Sequence, residues 1–338
     1  MRYFAYVLAL LVTPLSAQAD SHNALIEGIV EAHILPGFEA LATQSQALSK
    51  AAEESCDPAS DTLRQAYGRA FDAWVSVSHL RFGPTEVNDR AFALAFWPDS
   101  RGVTPRALAG LLSEQDPIAS SVTDYAQVSI AARGFYALEF LLYDDRLMTA
   151  GEAGYHCTLV QTISADIALT SKHILEGWQS GYAVTMLTPS PDGVYQTDKE
   201  VLQTLFKSLA TGLEFTADTR LGRPLGSFDR PRPTRAEARR SGRSSRHVML
   251  SLEALSSLAA HLAEGDKALS GKLEAAFERA QSQLADLNDP VFAGVSNPQS
   301  RLKIEIVQQG IAAIRTIVRD EMGPALGVAA GFNALDGD

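Results

Sequence analysis

Cysteine, strand-like alternation and long apolar runs are all scarce in this chain. Cys56 and Cys157 are the only cysteines in 338 residues, and a single pair so far apart does not have the spacing of a zinc site. No segment alternates apolar and polar residues persistently enough to read as a strand, so a sheet-based fold is not expected. Beyond residue 19, no apolar run reaches the ~20 residues needed to span a bilayer. His-Glu-x-x-His, Gly-x-Ser-x-Gly and a phosphate-cradling glycine loop are all missing, which removes the common metalloprotease, hydrolase and nucleotide-binding signatures. The seven histidines (His22, His33, His79, His156, His173, His247 and His261) include no i, i+4 pair. Positive charge is also short: 29 Lys+Arg stand against 40 Asp+Glu, a net charge of −11. An acidic chain of this kind is a poor partner for nucleic acid or anionic lipid, and it is compatible with binding cations.

What is present begins with a leader. Arg2 supplies a charged start, Tyr3 to Leu15 is mostly apolar, and Ala17-Gln18-Ala19 reads as a cleavage site before Asp20. Residues 1–19 are therefore expected to be a signal peptide cleaved after Ala19, delivering the mature chain to the periplasm with no membrane span left. Export to an oxidising compartment makes a Cys56–Cys157 disulfide the expected state of the pair.

The mature chain reads as helix after helix. Leu63, Tyr67, Ala70, Trp74 and Val77 keep a helical period over residues 60–80, and Leu202, Leu205, Leu209 and Leu213 do so over 199–219. A first helix over 24–50 is expected to break near Pro36-Gly37. Further helices are read over 158–178, 244–263, 269–287 and 301–321, with Pro189 to Gly193 as a linker. Residues 83–105, with Phe96-Trp97-Pro98 among turn formers, read as a long loop, either an aromatic plug over a bundle end or a functional element. Residues 220–246 carry nine arginines against Asp229 and Glu237. They read as an ordered basic loop that pairs with acidic surface or contacts an anion or carboxylate near a site.

The most informative run is Gly134-Phe135-Tyr136-Ala137-Leu138-Glu139-Phe140-Leu141-Leu142-Tyr143, read as part of a long helix starting near Asp124. Tyr136 and Glu139 stand at i, i+3 and share one stripe. Glu139 is the only charge in the run, so it must be paired, protonated, wet or metal-bound. One reading is a buried Tyr–Glu hydrogen bond that orders the bundle. The other is an oxygen-rich cation site suited to ferric iron or another divalent or trivalent metal, completed from other helices. Glu214 and Asp218, four apart on another helix, are the candidates for completing it.

This run resembles the Gly-x-His-x-x-Glu signature of the imelysin-like family, with Gly134 and Glu139 in place and Tyr136 where the family has His. Ala73-Trp74 leading to Arg81-Phe82-Gly83-Pro84, the segment Glu237 to Ser244 and the tail from Leu326 to Asp338 resemble the same family. The resemblance implies an all-α protein of two helical-bundle halves, residues 20–188 and 194–338. It also implies a periplasmic role in iron or other metal acquisition beside envelope iron-transport proteins. The alternatives are a metallopeptidase of the imelysin type, weakened by the loss of the motif His, and a metal-free envelope scaffold binding some other small ligand.

Overall fold

The computed structural model describes residues 16–329. The leader expected over residues 1–19 and the family-like tail fall largely outside the described residues. Fifteen α-helical segments occur among them, and the one β pairing is an isolated bridge between Ser227 and Arg230. The all-α expectation holds, and no described helix is long and apolar enough to cross a membrane.

In order, the helices are α1 (Ser16–Ile29), α2 (Leu35–Glu54), α3 (Asp61–Val77), α4 (Arg90–Leu94) and α5 (Val103–Glu114). Then come α6 (Val122–Tyr125), α7 (Gly134–Tyr143), α8 (Ala153–Gly177), α9 (Ala183–Leu187) and α10 (Asp198–Glu214). The last are α11 (Gly222–Leu225), α12 (Ser244–Leu262), α13 (Lys267–Ala285), α14 (Pro298–Ile317) and α15 (Gly323–Leu326). Helices α2, α3, α7 and α8 pack into one bundle, and α10, α12, α13 and α14 into a second. Two features tie them together. Helix α12 lies against α3, and α1 packs on α10 and α12. The halves expected at 20–188 and 194–338 are thus not cleanly partitioned, because the first helix of the chain leans on the second bundle.

The first helix does not break at Pro36-Gly37. A π-helical turn at Val30–Ile34 carries α1 into α2 without a break, and Pro36, which has no N–H to donate, follows that turn directly in the first residues of α2. Gly37 has a packing role instead: a Cβ there would lie 2.6 Å from the Val77 side chain, so its absence lets α2 approach α3.

The helix expected from Asp124 is also different. The chain forms the single turn α6, a 3-10 turn at Ile130–Ala132 and an extended Arg133 before α7 begins. Ser121 and Ser129 cap these turns through their hydroxyls and so stop a continuous helix from forming. Gly134 opens α7 with φ +73°, and a Cβ at this position would sit 2.2 Å from the Leu94 carbonyl oxygen. Only glycine fits there. Its neighbours Phe135, Leu138, Leu141 and Leu142 are fully buried, each contributing about 1.5–3 kcal/mol by leaving water.

Cys56, just past α2, is bonded to Cys157 in the first turns of α8, with Cα atoms 5.1 Å apart. Titrating unfolded, unreduced mature protein should find no free thiol, and the Cys56→Ala/Cys157→Ala double variant should lose about 2–5 kcal/mol in urea unfolding. Two titratable thiols in the unreduced protein would contradict the pairing.

Candidate functional site

The buried face of α7 meets the basic loop of the second half. At Ala238 the backbone takes φ +45° and at Gly242 φ +71°, and the Arg243 N–H closes the turn on the Ala238 carbonyl at 3.0 Å. This tight turn aims two groups at α7. The Ser241 N–H and hydroxyl both donate to Glu139, at 2.9 and 2.7 Å. Glu237 accepts a short hydrogen bond from the Tyr136 hydroxyl. Tyr136 and Glu139 share a helix face as expected, but they bond outward to separate partners rather than to each other.

Glu237 is the hub. Its other oxygen accepts from Arg220 Nε at 2.7 Å and lies 3.4 Å from His247 Nδ1. Arg220 comes from a π-helical segment, Phe215–Leu221, that continues α10. It also donates to Ser251 at 2.8 Å and reaches Ser78 at 3.4 Å. Glu139, Glu237, Arg220, Tyr136 and His247 are all buried. Phe71 of α3 touches three parts of the cluster. It stacks on Phe135 and meets Tyr136 and His247 edge-on, with centroids 4.7, 5.1 and 4.4 Å away.

Burial alone would raise the Glu237 carboxyl. Arg220, His247 and the Tyr136 hydroxyl outweigh it and hold the group at about 2. Glu139 goes the other way: burial raises it, only partly offset by the Ser241 hydrogen bonds and Arg240. Burial and the adjacent Glu237 charge push the Tyr136 phenol well above its ordinary value. The result is one firmly ionised carboxylate, one carboxyl biased toward its protonated form, and a phenol that keeps its proton unless something displaces it.

Glu214 and Asp218 do not join this cluster. Both pair with Arg315 of α14, at 3.4 and 2.9 Å, and neither lines the cavity next to the site. Four of the nine arginines in the basic loop have acidic partners: Arg220 with Glu237, Arg240 with Asp144, and Arg243 and Arg246 with Asp72. Both readings of that loop are therefore realised, since one of these pairs lies in the site and three tie the loop to the first bundle. His79 faces His33, Nε2 to Nε2 at 2.9 Å. Burial and then His261 lower His33 to about 4, while burial, His33 and Arg220 drive His79 well below its usual value.

Among the described residues no three His, Cys, Asp or Glu side chains gather as a metal-holding group. What does converge is mixed: the Tyr136 phenol, the Glu237 carboxylate and the His247 imidazole. Neither ring nitrogen of His247 has a hydrogen-bond partner although the residue is 0 % exposed. An imidazole nitrogen 3.4 Å from a carboxylate that also accepts from the phenol supplies the nitrogen and oxygen donor types a cation site would use, and Arg220 compensates Glu237 without one. Sequence reasoning missed Glu237 and His247 as site residues. The available signal was that Glu237 is one of only two acids among nine arginines.

A cavity of about 740 Å3 opens over the cluster, with Tyr136, Arg220 and Glu237 on its floor. The long loop supplies Trp97, which stacks on Tyr136 at 6.2 Å.

A two-bundle helical protein with a buried Tyr–Glu–Arg–His cluster beneath a cavity defines the class. The imelysin family matches residues 34–318, and the chain belongs to that family. Among solved structures it is similar to an imelysin-like protein from Psychrobacter arcticum. The TM-score is 0.79 at 21% identity, covering 96% of this chain and 100% of that one. It is also similar to an iron-regulated protein A precursor from Parabacteroides distasonis, with a TM-score of 0.74 at 13% identity, covering 89% and 94% of the two chains. At these identities the likeness shows the fold. No curated protein matches the chain.

Two pH windows follow. His33, at about 4 in the fold and 6.5 when free, keeps the folded state from taking up a proton that the unfolded chain binds, so stability should fall as pH drops from 6.5 toward 4. Glu237, at about 2 against 4.5, contributes stability that is complete above pH 4.5 and lost as pH falls toward 2. Urea unfolding across pH should show both declines. Arg220→Met should cost about 3–5 kcal/mol at pH 7, because it leaves a buried carboxylate uncompensated, and adding Glu237→Gln should recover part of that loss. A single variant as stable as wild type would refute the assignment.

Proposed function

We propose that this imelysin-family protein is an exported, non-hydrolytic binding protein of iron acquisition, with ferric iron as cargo at Tyr136, Glu237 and His247. The observation that carries the reading is the convergence of a phenol and a fully buried imidazole on one ionised carboxylate. Oxygen donors with one imidazole suit a hard, high-charge ion better than zinc, whose protein sites favour Cys and His. Glu139, held by Ser241, stands one turn from Tyr136 and supports the loop that carries Glu237. The leader-like start supports export, as does the precursor naming of the Parabacteroides relative. That relative's iron-regulated description supports the pathway. Envelope iron-transport proteins would then be the partners.

In this reading Arg220 has a defined task. It keeps Glu237 ionised and compensated without cargo, so the site folds without a cation and release is possible. Cargo must displace the Tyr136 proton, so affinity should fall in acid.

Titrating chelator-stripped mature protein with a soluble ferric chelate should produce a visible phenolate-to-metal absorption band. Tyr136→Phe should abolish the band, and Glu237→Gln or His247→Ala should weaken binding by about tenfold or more. No binding by wild type, or equal binding by all three variants, would make the cluster purely structural. The peptidase alternative rests on the family's name. Incubation with a protein substrate should give no turnover, because among the described residues no three His, Cys, Asp or Glu side chains gather to hold zinc. Chelator-sensitive cleavage that disappears in Glu139→Ala would reverse this conclusion.

A further inference from the structure

The cavity above the cluster has a chemical character that a bare cation does not call for. One wall is aromatic. Trp97, Phe82 and Phe215 are half-buried, and Phe92 is 42% exposed although it is a large apolar ring. Phe92 lies under the Arg81 guanidinium at 4.8 Å, and Phe215 meets Trp97 edge-on at 5.9 Å. Half-covered rings around one space gain about 25 cal/mol for each Å2 of apolar surface a guest removes from water. Flat guests cover them best, because ring faces stack.

One face of α10 brings Lys207 with Thr204, Ser208 and Thr211 into the same lining. Each of the three hydroxyls donates to the backbone carbonyl four residues earlier. Lys207 is the unspent charge. Arg81 is held by both oxygens of Glu86 and Arg220 by Glu237. Lys207 Nζ meets no carboxylate and no hydrogen-bond acceptor among the described residues. The lining therefore carries Arg81, Lys207 and Arg220 against Glu86 and Glu237, a surplus of one positive charge, in a chain whose net charge is −11. A locally positive recess in an acidic protein concentrates anions. The volume, about 740 Å3, is that of a small-molecule site.

We propose that this cavity binds a flat aromatic monoanion, an aryl carboxylate, with its rings against Trp97 and its carboxylate at Lys207. The cavity alone supplies these contacts, and no cation takes part in them. Binding is measured with the mature protein in excess chelator, so the test stands whether or not ferric iron binds below.

Trp74 and Trp97, two of the three tryptophans, line the cavity, so ligand entry is read by intrinsic fluorescence and confirmed by calorimetry. The probes are naphthoate, its neutral isostere naphthamide, and the saturated decalin carboxylate. Naphthoate should bind, and each of the other two should bind about tenfold more weakly, the scale of one charge-assisted contact or one stacking contact. Lys207→Met changes an exposed residue and should fold normally; it should reduce naphthoate to the affinity of naphthamide while leaving naphthamide unchanged. Trp97→Leu should weaken both aromatic probes together. Equal binding of naphthoate and naphthamide, an unchanged preference in Lys207→Met, equal binding of the saturated acid, or no naphthoate binding at millimolar concentration would each overturn the proposal.

Discussion

A single buried carboxylate holds the two bundles in register. Glu237 is reached by Tyr136 from the first bundle and by Arg220 and His247 from the second. Taking such a charge out of water costs several kcal/mol unless it is paired and hydrogen-bonded on every side. That requirement dictates much of what surrounds it. The π-helical continuation of α10 places Arg220 alongside, the left-handed Ala238 and Gly242 shape the turn, and Phe71 packs the gap between Tyr136 and His247.

The same constraint shapes the second carboxylate. Glu139 takes its hydrogen bonds from Ser241, on the loop that delivers Glu237. One seven-residue turn therefore satisfies one carboxylate and supplies another. Arg240 and Arg243 fasten that turn to Asp144 and Asp72 of the first bundle. Three of the nine arginines in this basic stretch clamp it to the first bundle.

The cavity is the consequence of that clamp. Where α10, the end of α3 and the Trp97 loop fail to close over the cluster, a recess remains, lined by aromatic rings and Lys207. The donor groups on its floor are chemically distinct from its walls. The proposed cargo at Tyr136, Glu237 and His247 and the proposed organic anion above them can therefore be tested separately.

Much of the fold was legible from local pattern. Helical patterns of apolar residues placed α3, α10, α12, α13 and α14 to within a few residues, because a helix buries one stripe and its period is local. An even cysteine count in a chain read as exported pointed to the Cys56–Cys157 bond. Periodicity misled over the long helix read from Asp124, where serine caps and the left-handed Gly134 interrupt the chain. It could not reveal that α1 leans on the second bundle, since an apolar stripe does not name its partner. The sequence alone singled out Tyr136 and Glu139 as groups needing partners, but the partners lie 101 and 102 residues away. Glu214 and Asp218 had the right chemistry and face Arg315 instead. Only the tertiary structure decided which carboxylate meets the phenol, because that depends on how two bundles and a strained turn converge, and no local spacing encodes it.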